Sequence, residues 1–332
     1  MGDHAPGGGG LPFFLFAYST KKERCPVRSP KKHRSISTAI NPSASTLLLY
    51  LAIPCILFAF TVFAPLIIAV INSFYEWKGG PHKTPTGFAN YQALFQDSIF
   101  WGAFGHNLYL VIVCIIGQIG LAFVLVMFAN SKLTHCKSIH RTFGFFPSTI
   151  SAVCIGMIWT IIYLQDGLLN TVLNGLGVLT GNWMTWPNWL GESHAMLMVT
   201  IPLVWQYIGY YMVILFAAIA SIDGEIFEAA TIDGANGFQT AIHVTLPLIK
   251  NTILVCLTLC IAGNMKAFDN IYVMTRGQHD TMVMALYSWQ ISLQQNNLGY
   301  GSTLSVAIFV VSLAVIGGSQ WIVKRLTKGV EA

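Results

Sequence analysis

Charged residues are scarce in this chain. Only 9% of its 332 residues are Asp, Glu, Lys or Arg, whereas 54% are hydrophobic. Soluble domains carry roughly 25% charged residues, so most of this chain cannot face water. Segments of about ten residues with strand-like alternation are also missing, which disfavours a transmembrane β-barrel.

The motifs of many ATPases and hydrolases are missing as well. The sequence contains no GxxxxGK[ST] loop, no HExxH or GxSxG motif and no paired carboxylates within an apolar run. A GxxxxGK[ST] loop holds nucleotide phosphates with its backbone amides and its lysine, so any ATP hydrolysis must take place on another polypeptide. We therefore expect no catalytic residue, and an intramembrane enzyme is a remote alternative.

Metal ligands and internal repeats are not evident either. Cys256 and Cys260 share one helical face, but no histidine or second cysteine pair accompanies them. We expect them to pack as small hydrophobes, with no metal site. The missing repeat gives no support to the inverted-repeat plan of many secondary transporters. A stand-alone secondary transporter or channel is therefore only an alternative.

Long apolar runs dominate what is present. A hydrocarbon core of about 30 Å needs about 20 apolar residues per helix. Six runs of that length occur, at residues 46–75, 102–129, 141–164, 195–222, 251–275 and 303–323. The sequence therefore predicts an all-α, polytopic membrane protein with six transmembrane helices.

Lysine and arginine are distributed unevenly and predict the orientation. Seven of the eighteen lie between Lys21 and Arg34, and others follow in the second-to-third connection and at the C-terminus. The positive-inside rule then places both termini in the cytoplasm. We expect residues 1–45 to be a disordered basic tail, residues 46–325 the membrane domain and residues 326–332 a short cytoplasmic tail. The net charge of +5 follows from this topology and gives no reason to expect nucleic acid.

A polar hairpin, residues 223–247, interrupts the apolar pattern between the fourth and fifth runs. Asp223 can cap one short helix, and Asn236 can cap a second that Pro247 ends. Gly234 permits the positive φ of a turn. Four acids lie here: Asp223, Glu225, Glu228 and Asp233. The hairpin either merely links two spans or binds a protein, and its acidity near anionic lipid favours the protein partner.

Polar residues also occur near the centres of the fourth and fifth runs. The fourth carries Trp205, Gln206, Tyr207, Tyr210 and Tyr211, and the fifth carries Asn264, Lys266, Asp269 and Asn270. The aromatic set has two equal interpretations, helix packing and a path for a polar solute. For Lys266 and Asp269, three residues apart, we favour an ion pair over contact with a substrate.

Several motifs resemble one known family. Glu228-Ala229-Ala230, Gly234 and Val244-x-Leu246-Pro247 resemble the EAA signature of permease subunits of binding-protein-dependent ABC importers, and Asp233-Gly234-Ala235 resembles the carbohydrate (maltose-type) form. Further similar blocks follow in order over about residues 46–325. They are Phe88 to Asn107, Phe145 to Pro147 with Trp159, Gly167 to Asn170, Phe268 to Tyr272 and Gly299 to Ser305.

The resemblance implies the type I ABC importer permease fold and import of a sugar or oligosaccharide. It implies a bacterial or archaeal cytoplasmic membrane, with lipid around the chain. It implies these partners: a second, homologous permease, an ABC ATPase dimer and an extracytoplasmic solute-binding protein. ATP and Mg would be bound by the ATPase subunits, and this chain would bind no cofactor. Another small polar solute, such as a glycerol phosphate ester, is the alternative cargo.

The resemblance also assigns site residues by position. The hairpin would contact the ATPase through eight residues, Glu228, Ala229, Ala230, Asp233, Gly234, Ala235, Leu246 and Pro247. Tyr207, Tyr210, Asn264 and Ala267 match positions that line the sugar site of the maltose-type permease. Together with the charged Lys266 and Asp269, these form the predicted substrate pathway.

Overall fold

The computed structural model describes residues 44–130, 143–180, 188–191 and 194–327. Contacts divide the chain into two units, residues 1–58 and 59–332. The first unit contributes the helical residues 44–58, and the packing described below belongs to the second. Residues 1–43 of the predicted tail and residues 328–332 of the C-terminal tail lie outside the described residues.

Helices make up most of the described chain. Five of them, among the described residues, are long and apolar enough to cross a membrane, and a bent pair makes a sixth. We number these spans in chain order: Ser45–Asn72, Ser98–Ala129, the pair Phe143–Thr149 and Ala152–Ile162, Ala195–Ala220, Lys250–Met274 and Leu298–Val323. The six predicted runs correspond to these spans, so the polytopic, all-α fold is confirmed.

Helices of very different length and two short strands make up the secondary structure of the described residues. The α-helical bounds are Ala44–Asn72, Ala89–Gln96, Ser98–Cys114, Leu121–Asn130, Ala152–Ile162, Leu168–Thr180, Ala195–Ala220, Gly224–Ile232, Gly237–Gln239, Leu246–Leu248, Lys250–Met265, Asp269–Met274, Met284–Trp289 and Leu298–Thr327. Three π-helical segments are Ile115–Gly120, Thr240–Thr245 and Gln290–Gln294, and a 3-10 turn is Phe146–Thr149. Strands β1 (Tyr75–Glu76) and β2 (Thr84–Pro85) pair antiparallel, with Tyr75 opposite Pro85.

Span 3 is bent, as the proline at Pro147 within the run 141–164 predicts, although the break falls three residues after it. Its two arms meet at 107°, because Ile150 and Ser151 are extended, with ψ of 142° and 137°. Pro147 lies in the 3-10 turn before the break. Such a break leaves backbone groups that other protein groups must satisfy within a bilayer.

Span 5 is also interrupted, although a continuous helix over 251–275 was expected. The first segment ends at Met265 and the second begins at Asp269. Between them Lys266 has φ −108° and ψ 12°, and Phe268 has φ −144° and ψ −60°. Neither residue is helical.

Span 4 contains Pro202, and a neighbour replaces the hydrogen bond that the proline cannot make. Proline has no N–H for the carbonyl four residues earlier, which here belongs to Met198. The Tyr163 hydroxyl donates to that carbonyl at 3.2 Å. A tyrosine after span 3 thus satisfies the backbone of span 4.

Buried residues form two clusters. One lies among spans 2, 4 and 5 and includes Cys114, Leu215 and Ile271. The other joins spans 2, 5 and 6 to the helix Met284–Trp289 and includes Phe100 and Leu304. Span 2 therefore belongs to both clusters.

Asp97 ties three elements together just before span 2. Its Oδ1 accepts from the backbone amides of Ile99 and Phe100, which caps the helix. Its Oδ2 accepts from the hydroxyls of Tyr287 and Tyr300 at 2.7 and 2.6 Å. Partial burial alone raises the pKa of the carboxyl, but these four hydrogen bonds outweigh it and hold the pKa below its usual value.

Candidate functional site

A cavity of about 310 Å³ lies among spans 2, 3, 4 and 5, beside the break in span 5. It is within the size range of small-molecule sites, roughly 300–1,000 Å³. All six predicted pathway residues lie on its wall: Tyr207, Tyr210, Asn264, Lys266, Ala267 and Asp269. The structure therefore brings together residues up to 62 positions apart, although their contact with a solute stays a prediction.

The aromatic set of span 4 divides between the two interpretations. Tyr207, Tyr210 and Tyr211 line the cavity, and the rings of Tyr210 and Tyr211 meet edge to face at 5.2 Å. Trp205 instead packs against Trp159, with ring centroids 6.0 Å apart. Only the three tyrosines are placed to contact a solute in the cavity.

Asn264 is fixed by hydrogen bonds at both its backbone and its side chain. Its backbone carbonyl accepts from Asn107 Nδ2 at 2.8 Å, and its own Nδ2 donates to the carbonyl of Cys260 at 2.8 Å. The side chain is 6% exposed. Asn264 thus presents a rigid amide at the cavity wall.

Lys266 and Asp269 do not form the expected ion pair. Both residues are exposed and line the cavity, yet no salt bridge joins them within the part of the chain that the structure describes. An i,i+3 pair requires a continuous helix, and the chain is not helical at 266–268. The prediction was wrong because it assumed that span 5 was unbroken. One positive and one negative group therefore line the cavity separately.

A chain of amides beside the cavity was not predicted as a unit. Gln206 Nε2 donates to the carbonyl of Ile150 at 3.1 Å, and Asn270 Nδ2 donates to Gln206 Oε1 at 3.3 Å. Gln118, from the π-helical segment of span 2, also lines the cavity and donates to the carbonyl of Leu203 at 3.0 Å. The amide side chains were visible in the sequence, but their partners, two backbone carbonyls and one side-chain amide, lie on other spans and only the fold brings them close.

The polar hairpin has the caps that its sequence predicts. Asp223 accepts from the amide of Glu225 at 3.2 Å at the start of Gly224–Ile232. Asn236 and Gln239 form a reciprocal capping box, each side chain bonded to the other's backbone amide at 2.9 Å. Gly234 has φ +79°. The helix–turn–helix prediction is confirmed.

Pro247 does not end the second helix of the hairpin, which is a correction. The helical path continues through Leu246–Leu248, and the break falls at Ile249, before Lys250. A π-helical segment, Thr240–Thr245, precedes the proline. The wider π turn can accommodate a ring that would clash with the carbonyl four residues earlier in an α-helix.

The hairpin presents acidic and apolar side chains together. Glu228 and Asp233 are exposed, whereas Ala230 is 9% exposed. Ile232 and Phe238, on either side of the turn, are 86% and 74% exposed. Sequence reasoning missed these two apolar residues, although large hydrophobes beside a polar turn are a signal of an interaction surface. Their exposure on such a short element favours a protein partner.

The side chains on the cavity wall are suited to binding a polar solute. Among the described residues, no three His, Cys, Asp or Glu side chains could hold a metal ion together. The cavity offers tyrosines, amides and one charge of each sign. Such groups suit a small polar solute with several hydroxyl groups.

Known proteins share both sequence and fold with this chain. Residues 126–328 match the family described as binding-protein-dependent transport system inner membrane component. The diacetylchitobiose uptake system permease protein NgcF of Streptomyces coelicolor is 30% identical, over 86% of this chain and 83% of its own. The lactose transport system permease protein LacF of Rhizobium radiobacter is 27% identical, over 80% and 89%.

A solved structure shares the fold. A bacterial ABC transporter involved in the import of the acidic polysaccharide alginate superimposes with a TM-score of 0.72 at 21% identity. The match covers 85% of this chain and 96% of the other. The chain therefore shares its fold with a chain of that transporter.

Proposed function

The chain belongs to the family of binding-protein-dependent transport system inner membrane components, and from this premise we propose that it forms half of the carbohydrate pathway of an ATP-driven importer. It is a permease, a transport component rather than an enzyme, and a multi-pass membrane protein. The cargo would be a sugar or an oligosaccharide.

The observation that carries the carbohydrate proposal is the composition of the cavity wall. Tyrosine rings can pack on the apolar face of a sugar, while hydroxyl and amide groups exchange hydrogen bonds with its hydroxyls. Lys266 and Asp269 add one charge of each sign, so their formal charges cancel. Relatives named for diacetylchitobiose and lactose transport support the same class.

The polar hairpin would receive force from an ABC ATPase dimer. Glu228 can pair with a basic groove, Ala229 and Ala230 allow close approach, and Gly234 sets the angle between the two short helices. Asp233, Ala235, Leu246 and Pro247 complete the predicted contact. The exposed Ile232 and Phe238 would bury their apolar surface in the same groove. This assignment places the hairpin and both termini in the cytoplasm.

Two further partners belong to the proposal. A second, homologous permease would complete the pathway, because the cavity of this chain opens beside the exposed Lys266 and Asp269. A solute-binding protein would deliver the cargo outside, as the family description indicates. ATP and Mg would be bound by the ATPase subunits alone.

The test of the cargo uses the assembled transporter in proteoliposomes. We expect ATP-dependent uptake of one sugar class identified by a thermal-shift screen of the cognate binding protein. Asn264→Leu should reduce that uptake strongly, and Val255→Leu, on the same helix, is the matched control. If the binding protein responds to glycerol phosphate esters and to no sugar, the carbohydrate assignment is wrong.

The test of force transfer uses the hairpin. Glu228→Lys should abolish uptake while the binding protein still binds cargo, because a reversed charge cannot pair with a basic groove. Glu225→Lys makes the same charge change one turn earlier and should retain most of the uptake. Normal uptake by both Glu228→Lys and Gly234→Val would contradict the coupling role. Purification without an ATPase would instead favour a secondary transporter.

A further inference from the structure

One buried polar atom near the cavity has no hydrogen-bond partner. Asn270 is 3% exposed, and its Oδ1 is one of two buried side-chain oxygen or nitrogen atoms without a partner in the part of the chain that the structure describes. A buried acceptor without a donor leaves the cost of removing it from water uncompensated. Such an atom in a native structure requires an explanation.

The orientation of the Asn270 amide follows from its neighbours. The carbonyl of Ile150 can only accept, so Gln206 must direct Nε2 towards it. Gln206 Oε1 is then an acceptor, and Asn270 must direct Nδ2 towards it. Turning the Asn270 amide over would place two acceptors together. Its Oδ1 is therefore the unpaired atom.

A glycine lies opposite that oxygen. Gly156 is in the second arm of span 3, and a Cβ built on it would lie 3.4 Å from Asn270 Oδ1. The same Cβ would lie 3.2 Å from Val273. Glycine thus keeps the second arm of span 3 close to Asp269–Met274 while offering no donor to the oxygen.

The amide chain links the two broken spans. Ile150 lies at the bend of span 3, Asn270 lies just after the interruption of span 5, and Gln206 of span 4 joins them. The first arm of span 3 is held separately, because Gly209 of span 4 packs directly on Gly144. The first arm of span 3 therefore packs on span 4, whereas the second arm packs on Asp269–Met274 and also reaches span 4 through Trp159 and Trp205.

We propose that Asn270 is a positioning residue of the transport cycle. Its unpaired carbonyl oxygen raises the free energy of the observed conformation relative to a second conformation, in which the second arm of span 3 has moved. The proposal rests on the proposed function, since an importer must pass between at least two conformations. The contact of the second arm is the one proposed to change because the unsatisfied oxygen lies on it. The first arm packs on span 4 with the backbone of Gly144 against Gly209, whereas the second arm packs on Asp269–Met274 with Gly156 opposite an unsatisfied oxygen. Because the observed conformation lacks this hydrogen bond, its free energy lies closer to that of the second conformation. Both conformations of the transport cycle therefore stay accessible.

The test supplies the missing donor. Gly156→Ser places a hydroxyl beside Asn270 Oδ1, and Gly156→Ala adds the same Cβ without a hydroxyl. We expect the serine variant to melt at a temperature higher than the alanine variant by on the order of 2 to 4 °C. Its ATP hydrolysis in the complex, reconstituted in nanodiscs with the binding protein, should be about tenfold slower than that of the alanine variant.

A double-mutant cycle separates this hydrogen bond from a local one. A serine hydroxyl in a helix can also bond to the carbonyl four residues earlier, which needs no Asn270. In an Asn270→Leu background the serine should therefore lose its stability advantage over alanine. If the advantage persists there, or if serine and alanine are equal from the start, the proposal is wrong. A more stable serine variant with unchanged ATP hydrolysis would also overturn it.

Failure of the carbohydrate assignment would look different. The melting temperatures of the four variants need no cargo, and ATP hydrolysis reports the cycle whichever solute the binding protein delivers. A complex without an associated ATPase would contradict the proposed function, while the melting temperatures would still report whether Oδ1 lacks a donor.

Discussion

The polar hairpin and the cavity are built by hydrogen bonds of different range. In the hairpin, Asp223 and Asn236 bond to residues only two or three positions away. Beside the cavity, the bond from Asn107 to Asn264 spans 157 positions, and that from Gln118 to Leu203 spans 85. The hairpin is therefore specified by a short stretch of sequence. The cavity exists only when spans 2, 3, 4 and 5 are packed together.

The largest expected effect comes from filling the closest contact on the cavity side. A Cβ at Gly209 would overlap the carbonyl oxygen of Gly144, which is backbone and cannot rotate away. Gly209→Ala should therefore separate span 4 from the first arm of span 3, at a cost above the roughly 1–3 kcal/mol of ordinary overpacking. We expect little folded protein in detergent, measured by size-exclusion chromatography.

Gly105→Ala is the matched control for that variant. Gly105 is also a glycine within a membrane span, but a Cβ there has no atom within 4 Å. Alanine should be neutral or slightly stabilising at this position because it favours helix. Equal yields of folded protein for Gly209→Ala and Gly105→Ala would contradict this prediction. They would show that the packing beside the cavity tolerates a change as well as the hairpin does.

The sequence separation of the hydrogen-bond partners also decides how much of the fold and of the site could be predicted from the sequence. The caps, the turn at Gly234 and the apolar spans follow from local patterns, and all were predicted. The interruption of span 5 at Lys266 was not, and the bend of span 3 falls at Ile150 rather than at Pro147, because each depends on polar partners from other spans. The Lys266–Asp269 pair was wrong for the same reason, since helical spacing does not hold across a break. Nothing in the sequence indicated the close backbone contact at Gly209. A glycine in an apolar run has the same sequence pattern whether or not another backbone packs against it.

A smaller effect is expected at Asp97, where local and distant hydrogen bonds meet on one carboxylate. Asp97→Asn keeps an oxygen that can cap the helix but removes the charge that Tyr287 and Tyr300 donate to. We expect a loss of about 1.5–3 kcal/mol of unfolding free energy, typical of hydrogen bonds to a charged group. Thermal unfolding of the purified protein at pH 7 measures it.

Acid should remove this difference between wild type and Asp97→Asn. The pKa of Asp97 is lowered in the folded protein, so its contribution to stability is present above the unfolded pKa of about 3.9. That contribution is lost as the pH falls through the folded pKa. The difference in melting temperature should therefore be constant from about pH 7 to pH 5 and shrink below about pH 4. A difference independent of pH would show that the carboxylate charge has no part in joining the three elements.

The smallest effect is expected where all the bonds are local. Asn236→Ala removes the capping box and should cost about 1 kcal/mol, but the cost falls on the hairpin alone because no distant element depends on that side chain. We therefore expect the global melting temperature to stay unchanged, while the amides of Gln239 and Thr240 exchange with solvent about fivefold faster. Hydrogen exchange measured by mass spectrometry resolves the two outcomes. Asn236→Ser, which can still cap, should exchange almost as the wild type does. A fall in the global melting temperature with Asn236→Ala would mean that the hairpin and the cavity unfold together. The hairpin could then no longer be regarded as stabilised locally and the cavity as stabilised by the packing of the whole fold.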